Sequence, residues 1–202
     1  NEAMERLSTG KRINKASDDP AGIHRVMRLN AEIQGIKTAS RNAADGQSLI
    51  DTLDASLSEV QSILLRMREL SVQAISDTNS PSDRTVLDLE VSQLELEITR
   101  IGGTTSFGGQ LIFDGNTHYL QIGPRSGNTL EVQAYTLSAS TLGLNQDLMT
   151  KTNAETYLGI IDNAITDINE KRSAAGALSN RLDFIISSLE NNKINLIKSR
   201  SN

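Results

Sequence analysis

AGIHRVMRLNAEIQGIKTASRNAADGQSLIDTLDASLSEVQSILLRMRELSVQAISD, Ala21 to Asp77, is the stretch whose reading decides the fold. It holds no proline, and its apolar residues recur at alternating steps of three and four: Val26, Leu29, Ile33, Ile36, Ala43, Ile50, Leu53, Leu57, Val60, Leu64, Met67 and Ala74, with Ser40 and Gln47 filling two steps. That period is one face of an α-helix, so the stretch reads as a single helix roughly 80 Å long. Such a helix is about twice as long as a compact domain of this chain is wide, and the expected molecule is a rod. One extra three-residue step, from Ile50 to Leu53, is a slip that locally overwinds a coiled coil. Around Leu64, a turn of about 100° per residue puts Ile63 and Leu70 on one flank, Leu65 and Val72 on the other, and Arg66, Glu69 and Gln73 at the back. A helix apolar over that much of its circumference needs more than one partner helix, or another molecule, to cover it. Leu70 is read here as an exposed leucine beside the seam.

Working outward, Met4 and Leu7 have helical spacing before a break at Thr9-Gly10, and Lys11 to Pro20 reads as an ordered loop. Asp18 or Asp19 then caps the long helix, with Pro20 near its first position. Two adjacent carboxylates without further ligands make a poor cation site, so capping is the preferred reading. After the turn at Thr78 to Ser82, Ser80-Pro81-Ser82-Asp83 has a capping-box pattern. It opens a second helix, 81–101, carrying Leu87, Val91, Leu94, Ile98 and Ile101 and expected to stop at Gly102-Gly103. Between residues 108 and 136 the period changes. Leu111 to Phe113, Tyr119 to Ile122 and Leu130 to Tyr135 are β-prone runs separated by turn residues, which predicts a small antiparallel hairpin or three-stranded patch. Asp114-Gly115-Asn116 lacks the other ligands of a calcium loop and reads as a plain turn. A connector, Leu137 to Met149, leads to Thr152-x-x-Glu155, read as the capping box of a last long helix, 153–197. Its seam is Leu158, Ile161, Ile165, Ile168, Ala175, Leu182, Ile186, Leu189 and Leu196, with Arg172, Ser179 and Lys193 at intervening positions. Two long helices in the same heptad mode pair with each other. The fold class is mainly α: an elongated antiparallel helical bundle or coiled-coil rod of two long helices and one shorter helix, with a small β-hairpin patch. The rod domain is expected over 21–202, behind a terminal segment of residues 1–20.

Composition agrees with this. Of 202 residues 37% are hydrophobic, but only 3% are aromatic and none is tryptophan, which is the palette of helix seams rather than of ligand-stacking pockets. Twenty basic and 25 acidic residues leave a net charge of −5, mixed along the chain, with no nucleic-acid footprint. There is no cysteine, hence no disulfide and no thiolate chemistry. No apolar run is long enough for a membrane span, and no secretory signal is visible. Because the chain starts at Asn1, it is expected to be a fragment with its ends removed. His24 and His118 lie in different elements without partners at ligand spacing. Glu95 with Glu97, and Asp83 with Asp88, have solvated helical spacings rather than those of an acid–base pair in a pocket. Gly102, Gly103, Gly108 and Gly109 form no phosphate-binding pattern. Neither an enzyme, nor a cofactor site, nor a metal site is expected.

Four stretches carry a family resemblance: ERLSTGKRINKASDDPAGI (Glu5 to Ile23), ASRNAADGQSLIDTLDASLSEV (Ala39 to Val60), LRMRELSVQA (Leu65 to Ala74) and GALSNRLDFIISSLENNKINL (Gly176 to Leu196). Together they resemble bacterial flagellin, the subunit of the flagellar filament. The resemblance implies a D1-type rod domain that builds an extracellular hollow filament for motility after type III export. It also implies an export chaperone and a filament cap as partners, with neither nucleic acid nor membrane. The innermost terminal segments of the family are mostly absent, so the chain as it stands is expected to be monomeric and the full-length protein a homo-oligomer. The family's outer variable domains are likewise missing, only Thr136 to Thr152 lying at their place. The family's interface motif, which in animals also meets the flagellin-sensing Toll-like receptor, falls on Arg66, Leu70 and Glu97. The chain departs from it at Leu65, where strongly sensed members carry glutamine. Leu65, Glu69 and Gln73 complete the surface implied for subunit or receptor contact. The alternatives are a hook–filament junction protein, which shares the STGKR and SDDP elements, and a flagellin-like adhesin or polysaccharide receptor.

Overall fold

The computed structural model describes Leu7, Ser8, residues 19–133 and residues 135–201. In chain order the elements are α1 (Pro20–Ile75), α2 (Pro81–Thr104), β1 (Ser106–Phe107), β2 (Gln110–Leu111), β3 (His118–Gln121), β4 (Thr129–Val132) and α3 (Lys151–Ser201). The expected loop before residue 19, the spacing around Met4 and the cap Asp18 lie outside the described residues. The chain divides into two compact units. Unit 1 comprises Asn1–Asp45, Leu120–Leu130 and Leu182–Asn202, and unit 2 comprises Gly46–Tyr119 and Glu131–Arg181.

Asp19 caps α1. Its carboxylate accepts from the Gly22 amide at 2.9 Å and its carbonyl from Ile23 at 3.0 Å, while Pro20 sits where a missing N–H costs nothing. In unit 1, Ile36 and Ala39 of α1 pack with Leu189 of α3, flanked by half-buried Ile185 and Leu196. The loop after β3 lies on α1: the Asn42 amide donates to the Gln121 carbonyl at 3.0 Å, and Arg125 stands 3.7 Å from Glu32. A methyl group on Gly35 would come within 2.7 Å of Pro124 Cβ, so the close approach of that loop depends on the glycine.

Unit 2 holds the longer seam, in which Leu57, Val60, Leu64 and Met67 of α1 and Ile161 and Ile168 of α3 are fully buried. Polar residues at seam positions meet each other. Gln47 donates to Ser179 at 2.6 Å, and Arg172 donates to Asp54 at 2.8 and 3.3 Å and to Gln61 at 2.6 Å. Buried Ser71 satisfies its hydroxyl on the Met67 carbonyl one turn back, at 2.9 Å.

Two expectations about packing are corrected. Leu70 is not exposed: only 1% of its surface is accessible. The Arg66 guanidinium at the back of α1 binds Glu90 of α2 at 2.8 Å, which places α2 beside α1 near this turn. The early seam of α3 runs through Ala154, Tyr157, Ile161 and Ala164 rather than through Leu158 and Ile165, which are half-buried. Tyr157 can be buried because its hydroxyl donates to the Glu95 carboxylate of α2. Burial is the main cause raising the Glu95 carboxyl above its ordinary range; the Tyr157 hydrogen bond opposes the shift and nearby Asp88 adds to it. The Tyr157 phenol is pushed well above its own ordinary value by burial and by that carboxylate.

Helix boundaries differ in detail. Ser80 and Asp83 form the expected capping box of α2. At its far end α2 runs through both glycines to Thr104, and Gly102 is there for another reason. A Cβ at that position would lie 1.8 Å from the Leu137 carbonyl oxygen, so only glycine admits the returning chain. α3 starts two residues earlier than expected, because Thr150 rather than Thr152 is the cap, its hydroxyl accepting from the Asn153 amide at 3.1 Å. The β region is two separate pairs rather than one patch: β1 with β2, and β3 with β4. Gly108 and Gly109, with φ of 59° and 83°, make the tight turn of the first pair. Asp114 accepts from the Asn116 amide at 2.8 Å in a turn closed by a single bridge to Thr136.

Three outcomes are expected in equilibrium unfolding. Gly102→Ala loses most of the chain's stability because backbone must move to admit the methyl, whereas Gly103→Ala, with nothing within 4 Å, is neutral or gains up to about 1 kcal/mol. Leu70→Ala costs about 2–5 kcal/mol, and Leu65→Ala stays within about 0.5 kcal/mol of the parent. Since Glu95 has its carboxyl raised in the folded chain, its charged form is the disfavoured one there, and its contribution is lost as pH rises through the folded value. Glu95→Gln therefore gains stability relative to the parent as pH rises above the ordinary carboxyl value of about 4, read from urea midpoints.

Candidate functional site

The surface of unit 2 is built by α1 and α2 side by side. On α1, Leu65 and Val72 stand one heptad apart with 47% and 49% of their surfaces open. Both are large apolar side chains facing away from the Leu70 flank, roughly 140–160° around the helix. Beside them Arg66 donates to Glu90 at 2.9 and 2.8 Å and to Glu69 at 3.1 Å. These bonds, Glu90 first, hold the guanidinium above even its usual high range. Arg68, two residues farther along α1, reaches Asp162 of α3 at 2.7 Å. Exposed pairs of this kind add little to stability but fix where the charges stand. Gln73 has an exposed side chain, and its carbonyl accepts from Asn79 in the turn before α2.

Of the residues expected to form a contact surface, the structure thus brings Leu65, Arg66, Glu69 and Gln73 together on exposed α1. Glu97 lies on α2, held by Arg100 through two bonds at 2.8 and 2.6 Å that lower its carboxyl. Leu70 drops out of this surface into the core.

α2 adds residues that the sequence reading did not single out. Val86, Leu89 and Leu96 are 65%, 61% and 64% exposed, opposite the buried Leu87, Val91, Ile98 and Ile101. With Gln93 they repeat at steps of three, four and three, the same coiled-coil spacing as the buried series, so α2 has a second seam facing outward. The signal was available in the sequence as a parallel heptad.

The other sequence candidates stand apart from this surface. His24 is exposed on α1, and His118 of β3 is partly buried with its Nε2 3.8 Å from Asp114. Among the described residues no three His, Cys, Asp or Glu side chains are grouped to hold a metal ion, and no helix is long and apolar enough to cross a membrane. A groove of about 480 Å³ in unit 1, between α1 and the β3–β4 loop, has Arg125 as its one ionisable lining residue. Nothing in that lining resembles an acid–base pair.

The arrangement of helices is found in known proteins. The family model for the bacterial flagellin N-terminal helical region matches residues 1–118, and that for the C-terminal helical region matches residues 158–202. A flagellin of Halalkalibacterium halodurans is 42% identical over 199 residues, 96% of this chain and 73% of the relative. Other curated flagellins are longer, and the chain spans 36% of two of them. Among solved structures, Bacillus cereus flagellin is 36% identical with a TM-score of 0.68, over 74% of this chain and 88% of that one. A Vibrio parahaemolyticus protein assigned as flagellar hook-associated superposes with a TM-score of 0.78 over 92% of this chain and 99% of that one, at 15% identity, a likeness of fold alone. The matched helical regions at both ends, the identity along nearly the whole chain and the shared helical fold place the chain in a structural rather than enzymatic family: it belongs to the bacterial flagellins, the subunits of the flagellar filament.

Proposed function

We propose that the chain enters the wall of an extracellular flagellar filament through the exposed face of α1 around Leu65, Arg66, Glu69 and Gln73. The observation that carries this reading is the pair Leu65 and Val72, two large apolar side chains left about half open on a helix whose other apolar flank is buried at Leu70. Arg66 and Glu69 bound the patch with fixed charges that set orientation more than affinity. Type III export, an export chaperone and a filament cap belong to this reading as the route and helpers of assembly. Recognition by an animal Toll-like receptor rests on Arg66 and Glu97 alone, since Leu70 is buried and Leu65 replaces the usual glutamine. No observation favours a hook–filament junction protein or a glycan-binding surface protein.

Deleting the gene and restoring it with the parent or with Leu65→Asp tests this reading. The parent is expected to restore filaments by electron microscopy. Leu65→Asp is expected to give short or no filaments while the purified chain keeps its circular dichroism. Flagella that stay normal after deletion would remove the reading, and filaments of normal length from Leu65→Asp would remove this face from assembly.

A further inference from the structure

Of the two histidines, His118 alone is held inside the fold: 20% of its side chain is exposed, whereas His24 lies open on α1. The Nε2 atom of His118 is buried and meets no hydrogen-bond partner among the described residues. Such atoms are rare, because a buried ring nitrogen gives up water and receives nothing in return. Asp114 Oδ1 stands 3.8 Å from it, beyond hydrogen-bond reach. That spacing is close to what two ligands of one metal ion show. With bonds of about 2.0–2.2 Å, neighbouring ligand atoms of a tetrahedral zinc lie about 3.4 Å apart. An ion bound to both atoms therefore needs the observed pair to close by only about 0.4 Å.

The turn fixes the carboxylate beforehand. Asp114 Oδ1 accepts from the Asn116 backbone amide at 2.8 Å and Oδ2 from the Asn116 side chain at 2.9 Å. These bonds hold the Asp114 carboxyl below its ordinary range, and each oxygen keeps a second lone pair for a cation. Behind them, Gly115 donates to the Tyr135 carbonyl at 3.2 Å and Asp114 bridges Thr136, while His118 opens β3, which pairs with β4. Both side chains thus stand on backbone that is already tied down, which lowers the ordering cost of binding. The donor set decides the class of ion. Calcium and magnesium take oxygen alone, whereas an imidazole beside a carboxylate suits zinc and its neighbours.

We infer that His118 Nε2 and Asp114 Oδ1 bind a divalent transition-metal ion of the zinc class, with water completing its shell. No third His, Cys, Asp or Glu joins them among the described residues, so the ion exchanges more readily than the fully ligated zinc of a structural site. Once bound, it clamps the start of β3 to the turn at Asp114. Such a clamp is independent of filament assembly.

Titration calorimetry of the purified chain with zinc chloride near neutral pH tests this, with urea midpoints as a second reading. The parent is expected to bind zinc and to gain stability with it. His118→Ala and Asp114→Asn are each expected to weaken binding by about tenfold or more and to lose the gain in stability. Asp114→Asn retains an oxygen for the Asn116 amide, so its circular dichroism is expected to match the parent. His24→Ala is expected to bind as the parent does. With no cysteine and two histidines in the chain, these variants cover every imidazole and thiolate donor. A parent that gives no heat and no rise in midpoint would overturn the inference. Binding that survives His118→Ala or Asp114→Asn, or that is lost in His24→Ala, would overturn it as well.

Discussion

The pairing of α1 with α3 along the seam of unit 2, in one register, is the constraint on which the other features of that unit depend. Apolar seams of Leu, Ile, Val and Ala resist sliding only weakly, because a shift by one heptad still buries apolar against apolar. The polar positions remove that freedom. Gln47 finds Ser179, and seven residues farther along α1 and seven back along α3, Asp54 finds Arg172. Sliding by a heptad would part Arg172 from both Asp54 and Gln61 and strand its charge beside an apolar seam, a penalty larger than the modest value of any one of these bonds. With the register held, Tyr157 arrives opposite Glu95, and Arg68 opposite Asp162.

α2 is the third member of that arrangement and the element with two tasks. Its inner seam, Leu87, Val91, Ile98 and Ile101, is buried, and its ends are tied by backbone demands, Ser80 with Asp83 at the start and Gly102 against Leu137 at the finish. Its outer face keeps a second row of large apolar side chains in water, which no folding requirement explains. The ion pairs Arg66 with Glu90 and Arg100 with Glu97 then act as markers of position on either side of the exposed residues rather than as sources of stability.

Most of the architecture was legible because period survives without knowledge of contacts. The steps of three and four gave α1 and α3, and the Ser80 to Asp83 pattern gave the start of α2. What a period cannot give is where a third helix lies. Leu70 and Leu65 flank the same seam with equal claim to exposure, and only the tertiary packing buries one and leaves the other about half open. The same ambiguity attends α2: the Leu87 and Val86 series have equal spacing, and spacing alone does not say which of them faces inward. Tyr157 went unread because its burial depends on an acceptor 62 residues away in sequence. Gly102 was read as a stop signal because the carbonyl it accommodates belongs to Leu137, outside its own helix. At the candidate surface, Leu65, Arg66, Glu69 and Gln73 could be grouped from helical geometry, and the exposed row Val86, Leu89 and Leu96 of α2 was legible as a second heptad.

Unit 1 has a consequence for the order in which the chain acquires structure. It joins residues far apart in sequence: Ile36 and Ala39 meet Leu189, and Asn30 accepts a bond from Arg200, 170 residues later. These are among the least local contacts a chain of this length can make, and closing so long a loop is slow and entropically costly. The Ile36 and Ala39 face of α1 consequently stays uncovered until Leu189 is in place. Folding of this unit therefore waits on residues far along the chain, and a chain cut short before Leu189 would carry an unsatisfied face on α1 at Ile36 and Ala39.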